Sequence, residues 1–222
     1  GRFVVTVSTT PPKGAAPADW DKWRPEFASY PVMLSDYNGE MWPDAVKTSF
    51  EGYIRNGGTA FMLHAANNPF EGWTAFEEMV GLLWRDATKG ARVYLDDKGQ
   101  MVKVPAGEDA KASHGVVHDW RMTHRQPNHP ILQGLPPVWM HAKDELYHAQ
   151  RGPAERMEIL ISAFSDPAQK GTGKHEPIMW TIPFGKGKVL TFLAGHLWPS
   201  QKTHEAYQCV GFRTMVQRGC EW

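Results

Sequence analysis

The segment Gly57-Gly58-Thr59-Ala60-Phe61-Met62-Leu63-His64 decides the fold class of this chain. Its two glycines end a preceding helix, because glycine readily takes the backbone conformation found just past a helix terminus. The residues from Thr59 to His64 then form an apolar run with the length of one strand. Such a continuous run is typical of a parallel strand that is covered by helices on both faces. The segment therefore predicts an α/β domain.

Outward from this segment, strands and helices alternate along the chain. Residues 30–35 (YPVMLS) predict a buried strand, residues 45–55 a helix with one apolar face, and residues 73–83 a second amphipathic helix. The other predicted elements are strands at 3–7, 157–164, 178–182 and 188–193, a tight turn at 185–187 and a last helix at 205–218. This order favours a mainly parallel sheet with helices on both faces.

The middle of the chain has a different pattern. Residues 92–95 and 101–104 flank the turn Asp96-Asp97-Lys98-Gly99 and predict a β-hairpin, and residues 116–122 predict a further strand. We expect this part, about residues 90–125, to form an insertion over the sheet rather than within it. Because the sequence contains no internal repeat and no low-complexity linker, residues 1–222 are interpreted as a single domain.

The composition excludes several classes of function. Lys plus Arg and Asp plus Glu both number 24, so no overall field attracts nucleic acid or an anionic membrane. No dinucleotide-binding fingerprint follows a predicted strand, so no NAD is expected. If one helix carries both Cys209 and Cys220, they lie roughly 16 Å apart along it, too far for a disulfide. The compartment stays open between cytoplasm and periplasm, since a leader peptide removed from the mature protein is compatible with this start.

Five short motifs resemble, in the same order, those of the ThuA-like (trehalose utilisation) family. They are residues 57–66 (GGTAFMLHAA), His129-Pro130-Ile131 with Gly134-Leu135-Pro136, Asp144-Glu145-Leu146-Tyr147, residues 184–189 (FGKGKV), and Gly195-His196. The resemblance covers about residues 30–220. The resemblance implies a flavodoxin-like sheet similar to that of class I glutamine amidotransferases, with a site above the strand ends.

Two departures from the amidotransferase pattern argue against glutamine hydrolysis. Amidotransferases place a nucleophilic cysteine at the turn where this chain has His64, and a glutamate where it has Trp198. Without the nucleophile and the residue that orients its base, the usual triad cannot form. The usual first strand of the family also has no counterpart, because the chain begins at what resembles the second one.

Two histidines and one carboxylate form the predicted catalytic group. His64 and His196 each end a predicted strand, and the carboxyl ends of parallel strands converge on one crevice. An imidazole there serves as a general acid or base, or as a metal ligand. Asp144 and Glu145 point in opposite directions if the chain is extended, and we expect Glu145 to face the pocket.

Residues near the same crevice form the predicted substrate-binding set. Asparagine side chains offer the paired donors and acceptors that polyols need, and aromatic rings stack on sugar faces. Arg151 has two interpretations, contact with a substrate oxygen or an ion pair with the acidic dipeptide 144–145. The set comprises Asn38, Asn67, Asn68, Trp73, Asp144, Tyr147 and Arg151, and Trp198 is a further ring that could stack on a sugar.

A divalent metal is a further prediction. His114 and His118 lie about 13 Å apart if the chain is extended, so only one of them reaches the pocket, and we choose His118. His64, His118 and His196 then form the predicted ligand set for a zinc or manganese ion with one open position.

The family resemblance implies a role in carbohydrate metabolism with a small sugar as the partner. The first hypothesis is an enzyme that acts on glycosides or 3-keto-glycosides, such as trehalose-like disaccharides, by His/Glu acid-base chemistry. The alternative is a non-catalytic carbohydrate-binding or accessory module. A third interpretation is a subunit of a homo-oligomer whose insertion serves assembly.

Overall fold

The computed structural model describes residues 2–198 and 200–222. Its helices are α1 Pro17–Trp20, α2 Asp44–Arg55, α3 Thr74–Val80, α4 Glu205–Gln208 and α5 Val210–Glu221, with short 3-10 turns at Phe27–Ser29, His64–Asn67 and Pro167–Gln169. Its strands are β1 Val32–Ser35, β2 Thr59–Leu63, β3 Ala91–Leu95, β4 Met101–Val104, β5 Ser113–His114, β6 His118–His124, β7 Val138–Asp144, β8 Tyr147–His148, β9 Arg151–Gly152, β10 Glu158–Phe164, β11 His175–Phe184 and β12 Gly187–Phe192. None of the helices in these ranges has the length and apolar character needed to cross a membrane.

One mixed sheet organises the domain. Its strands run in the order β1-β2-β12-β11-β10-β6-β7, with β3 attached to β11 and carrying β4 and β9 beside it. The pairs β1–β2 and β2–β12 are parallel, whereas every other pair along this path is antiparallel. The α/β class is therefore confirmed, but the prediction of a mainly parallel, flavodoxin-like sheet is wrong.

Connection length explains this difference. A parallel pair needs a crossover of a dozen or more residues, and α2 supplies one between β1 and β2. Between β11 and β12, only Gly185 and Lys186 remain, so the second strand must turn back antiparallel to the first, with Phe184 opposite Gly187. The tight turn predicted at 185–187 therefore already indicates an antiparallel pair of strands.

The middle of the chain joins the sheet instead of covering it. The predicted hairpin forms with Arg92 opposite Val104, and its first strand pairs with β11. The strand expected at 116–122 forms as β6, which lies between β10 and β7. The segment 3–7, expected as a strand, is irregular and exposed in the structure.

Helices cover the parallel strands from both sides. On one face, α2 and α3 pack an aromatic cluster that includes Phe50 and Phe76 against Ala60 and Met62. On the other face, Phe212 of α5 packs with Phe61, so alternate residues of β2 point into different cores. Two boundaries differ from expectation: α3 ends at Val80 because Gly81 takes a φ of 79°, and the last helix is interrupted at Cys209. Cys209 and Cys220 form no disulfide.

Candidate active site

The site lies where the two neighbouring parallel strands β2 and β12 end. Leu63 and Phe192 are register partners at these ends, so the residues that follow both strands emerge at the same edge of the sheet. His64 follows β2 directly and holds a φ of 45°, a left-handed conformation that is uncommon outside glycine. Gly195 precedes His196 with a φ of 104°, and a Cβ there would lie 2.7 Å from the Phe212 ring. Only glycine therefore fits at this turn.

All three predicted catalytic side chains meet at this edge. Nε2 of His64 lies 2.8 Å from Nδ1 of His196, and Oε2 of Glu145 lies 2.9 Å from the same nitrogen of His196. Nε2 of His64 and Oε2 of Glu145 are 3.9 Å apart. His64 and Glu145 are buried, whereas the His196 side chain keeps 20% of its surface exposed. The cluster is therefore closed on the protein side and reached from solvent through His196.

Hydrogen bonds define which nitrogens of the cluster carry protons. Nδ1 of His64 lies 3.0 Å from the carbonyl oxygen of Leu193, which can only accept, so this nitrogen is the donor. Burial lowers the pKa of His64 to about 4, which keeps the ring neutral near pH 7 and leaves a lone pair on Nε2. Nδ1 of His196 then faces this lone pair and the Glu145 carboxylate, and it supplies the proton between them.

The second oxygen of Glu145 has no comparable partner. Oε1 is buried without a hydrogen bond, and the nearest ionisable atom is Nε2 of His114 at 3.4 Å. Burial raises the pKa of the Glu145 carboxyl, although the neighbouring His114 and His196 oppose this shift. Glu145 thus sits between two imidazoles, one at each oxygen.

Asp144 shapes the site without facing it. Its carboxylate accepts hydrogen bonds from the backbone N–H groups of Gly195 (2.6 Å) and His196 (3.0 Å) and from its neighbour Glu145 (2.8 Å). It also pairs with Nε2 of the fully buried His141 at 2.7 Å. Asp144 is predicted to bind substrate, but the structure places it as the anchor of the two segments that carry Glu145 and His196.

Aromatic rings line the cluster on two sides. The Tyr147 ring packs on His64 with 4.5 Å between centroids, and Trp84 packs on Tyr147 at 4.6 Å. On the other side, the Trp198 ring lies 4.2 Å from that of His196 and is 43% exposed. Trp84 is also partly exposed. Tyr147 itself is buried, so Trp84 and Trp198 are the rings that a solute can reach.

Two predicted substrate-binding residues lie away from this edge. Trp73 is buried in the aromatic core, where its ring stacks on Phe76 and its Nε1 donates to Glu51. Arg151 is fully buried and donates to backbone carbonyl oxygens, including Ala110 at 3.0 Å from Nε. The ion pair with residues 144–145 does not form among the described residues, and the buried guanidinium of Arg151 fixes the loop that follows β4 instead.

The predicted asparagines have different surroundings. Asn67 is buried and donates to Gln150 Oε1 at 2.9 Å, which is a structural role. Asn68 is half-buried beside Tyr147, and its Oδ1 has no hydrogen-bond partner. Asn38 is exposed in the loop after β1. Of the three, Asn68 lies next to the cluster, through its side-chain hydrogen bond with Tyr147, but its Oδ1 is itself buried.

The choice between the two central histidines is reversed in the structure. His114 approaches Glu145, because β5 pairs with β8 and sets His114 opposite Tyr147. His118 lies outside the cluster, and its Nδ1 donates to the carbonyl oxygen of Val116 at 2.6 Å. The ligand set predicted with His118 therefore does not assemble, and Glu145 occupies the third position beside the two other histidines.

Comparisons with known proteins agree with the motifs. The ThuA family, described as trehalose utilisation, matches residues 26–222. A ThuA-like protein from Parabacteroides merdae has a similar structure with a TM-score of 0.92 and 34% identity, over 100% of this chain and 78% of that one. One from Bacteroides uniformis has a TM-score of 0.60 and 17% identity, over 90% and 72% of the two chains, and shows the shared fold. No functionally curated protein matches the sequence.

Proposed function

Because the chain belongs to the ThuA (trehalose utilisation) family, we propose that it is a carbohydrate-processing enzyme acting on glycosides or 3-keto-glycosides, such as trehalose-like disaccharides. The observation that carries the proposal is the position of Glu145 between the imidazoles of His196 and His114. A buried carboxylate bridging two partly exposed imidazoles is suited to moving protons between two points of a substrate.

A 3-keto-glycoside makes direct use of such an arrangement. Its ketone acidifies the hydrogen on C2, so an imidazole can remove that proton and leave an enolate. The electron pair then forms the C1–C2 double bond while the bond between C1 and the glycosidic oxygen breaks. The other imidazole protonates the departing oxygen, so the step is a balanced elimination without any oxidant.

We assign a role to each residue of the cluster from the exposure of its side chain. The side chains of His196 and His114 are 20% and 35% exposed, whereas those of His64 and Glu145 are 5% and 2% exposed. The two exposed imidazoles therefore exchange protons with the substrate. His64 holds His196 in place, and Glu145 links the two proton-transfer groups.

The surroundings also suit a sugar. Trp84 and Trp198 offer aromatic faces on opposite sides of the cluster, and apolar sugar faces stack on such rings. The exposed Trp198 ring equally favours the second candidate, a non-catalytic carbohydrate-binding module.

The test is turnover of a 3-keto-disaccharide followed by chromatographic detection of the released sugar. We expect His64→Ala to lower the rate by about 100-fold or more, because His196 loses the partner that orients its Nδ1. His118→Ala is the matched control and should retain the wild-type rate, and circular dichroism verifies that both variants are folded. Unchanged turnover in His64→Ala would exclude the cluster, while tight sugar binding without any product would establish the binding module.

A further inference from the structure

The cluster described above has the donor atoms and the spacing of a metal centre. Nε2 of His64, Nδ1 of His196 and a carboxylate oxygen of Glu145 all lie within 4.8 Å of one another. Ligand atoms around a tetrahedral zinc ion, each about 2.1 Å from it, are separated by about 3.4 Å. We infer that His64, Glu145 and His196 bind one divalent cation, which takes the place of the proton that these three atoms now share.

The arrangement of lone pairs supports this inference. Nδ1 of His64 donates to the Leu193 carbonyl oxygen, which leaves the Nε2 lone pair directed at the cluster. Such an outer hydrogen bond from a ring nitrogen to a backbone carbonyl is the usual support of a histidine ligand. His64 Nε2 and Glu145 Oε2 both face the proton on Nδ1 of His196. If that proton moves to Nε2 of His196, all three atoms present a lone pair to a cation.

An unpartnered polar atom provides independent support. Oε1 of Glu145 belongs to a side chain that is 2% exposed, yet no residue within 2–198 and 200–222 donates a hydrogen bond to it. A buried carboxylate with one oxygen unpaired is costly, and a cation bound at the other oxygen offsets part of that cost by neutralising the charge. His114 faces this oxygen at 3.4 Å, so it remains outside the ligand set.

Backbone hydrogen bonds hold two of the three proposed ligands in place. Asp144 holds the N–H groups of Glu145, Gly195 and His196, which fixes two of the three ligands relative to each other. The partly exposed side of the cluster, at His196, leaves an open position for water or substrate. Two imidazoles and one carboxylate with an open position form a donor set that suits zinc or manganese.

The role of the cation rests on the proposed function, whereas its binding does not. A cation at this point would polarise the ketone oxygen of the substrate, and His114 would be the remaining imidazole for proton transfer. Binding is therefore measured without substrate, and turnover is measured separately on metal-free and metal-loaded protein.

The experiment uses the purified chain after dialysis against chelator. Zinc chloride is titrated calorimetrically, and cobalt(II) is added as an optical probe whose visible absorption reports tetrahedral coordination. We expect one site per chain, and we expect His64→Ala and Glu145→Gln to weaken binding by more than about 100-fold, since even the loss of an outer support costs about 10–100-fold. His118→Ala, the matched control, should bind as the wild type does.

Two outcomes would overturn the inference. One is the absence of saturable, one-to-one binding by the wild-type chain, and the other is binding that Glu145→Gln leaves unchanged. If binding fails while the metal-free chain still turns over a 3-keto-disaccharide, the cation is rejected and the proposed function stands. If the cation binds and no product forms, the cation site stands and the proposed function is rejected.

Discussion

Asp144 and Glu145 are neighbours in sequence, both are buried, and each meets an imidazole, yet their surroundings differ. Asp144 pairs with His141 and has each oxygen bound to two N–H groups, so its carboxylate is satisfied. Glu145 contacts His196 through one oxygen, while the other lacks a hydrogen bond. A satisfied buried carboxylate stabilises the fold, whereas an incompletely satisfied one is available for a proton, a cation or a substrate.

The imidazoles of His141 and His64 differ in the direction of their pKa shifts. Burial alone would lower the pKa of His141, but its hydrogen bond to Asp144 and the nearby Cys209 outweigh burial and raise that pKa. Burial lowers the pKa of His64 to about 4, although Asp144 and the Leu193 carbonyl oppose the shift. The pKa of the enclosed His141 is therefore raised beside its carboxylate, whereas that of His64 is lowered beside the exposed His196.

The largest expected effect on stability follows from replacing Asp144. In Asp144→Asn, either orientation of the amide turns its NH₂ group towards at least one backbone N–H donor, because each oxygen of Asp144 accepts from the backbone. We expect the free energy of unfolding to fall by about 3–5 kcal/mol, measured by urea denaturation. A loss below about 1 kcal/mol would show that Asp144 contributes no more to stability than Glu145 does.

Replacing Glu145 should have little effect on stability and a large effect on turnover. Glu145→Gln removes a carboxylate whose pKa is raised by burial, so the free energy of unfolding should change by less than about 1 kcal/mol. Turnover of a 3-keto-disaccharide should fall by about 10²–10⁴-fold, because the link between His196 and His114 is lost. The exposed Glu155, which pairs with Lys103, provides the matched control Glu155→Gln. A stable variant with full turnover would contradict the assignment.

The smallest effect concerns His148, a buried imidazole without a carboxylate partner. Its Nδ1 lies 3.1 Å from the Ser165 hydroxyl, and burial, with Arg92 and His114 nearby, lowers its pKa to about 4. The unfolded chain takes up this proton near pH 6.5, so stability is complete above about pH 6.5 and falls as the pH drops towards 4. Each such histidine contributes a slope of about 1.4 kcal/mol per pH unit.

Urea denaturation at several pH values between about 4 and 6.5 measures this slope. We expect His148→Gln to have a shallower slope than the wild type, by the contribution of one proton. Equal slopes would mean that His148 is protonated in the folded protein, and burial without a carboxylate would then not be enough to keep an imidazole neutral here.

Much of the site is predictable because strand ends converge. His64 and His196 follow apolar runs of strand length, and the parallel pairing of those strands brings the two rings together. The opposite directions of Asp144 and Glu145 follow from the alternation of side chains in an extended chain. These inferences depend on local patterns and on one rule of sheet topology.

The rest depends on contacts that local patterns do not contain. His114 reaches Glu145 through the two-residue pairing of β5 with β8, which has no periodicity to read. Arg151 and Trp73 look like ligand-binding residues by type, but long-range packing buries them. Apart from the tight turn between β11 and β12, local patterns do not distinguish the antiparallel half of the sheet, because a strand such as β11 is apolar on both faces, as parallel strands are.

The bridging carboxylate of Asp144 has a mechanical consequence. It ties residues 144–145 to residues 195–196, although 50 positions of chain separate Glu145 from Gly195, so the acid and one imidazole move as a single rigid body. His64 belongs to the neighbouring strand end and is joined to this body through the pairing of β2 with β12 and through its own ring, but not through Asp144. Thermal breathing of the domain should therefore alter the spacing of His64 from the other two residues, while the spacing between Glu145 and His196 persists.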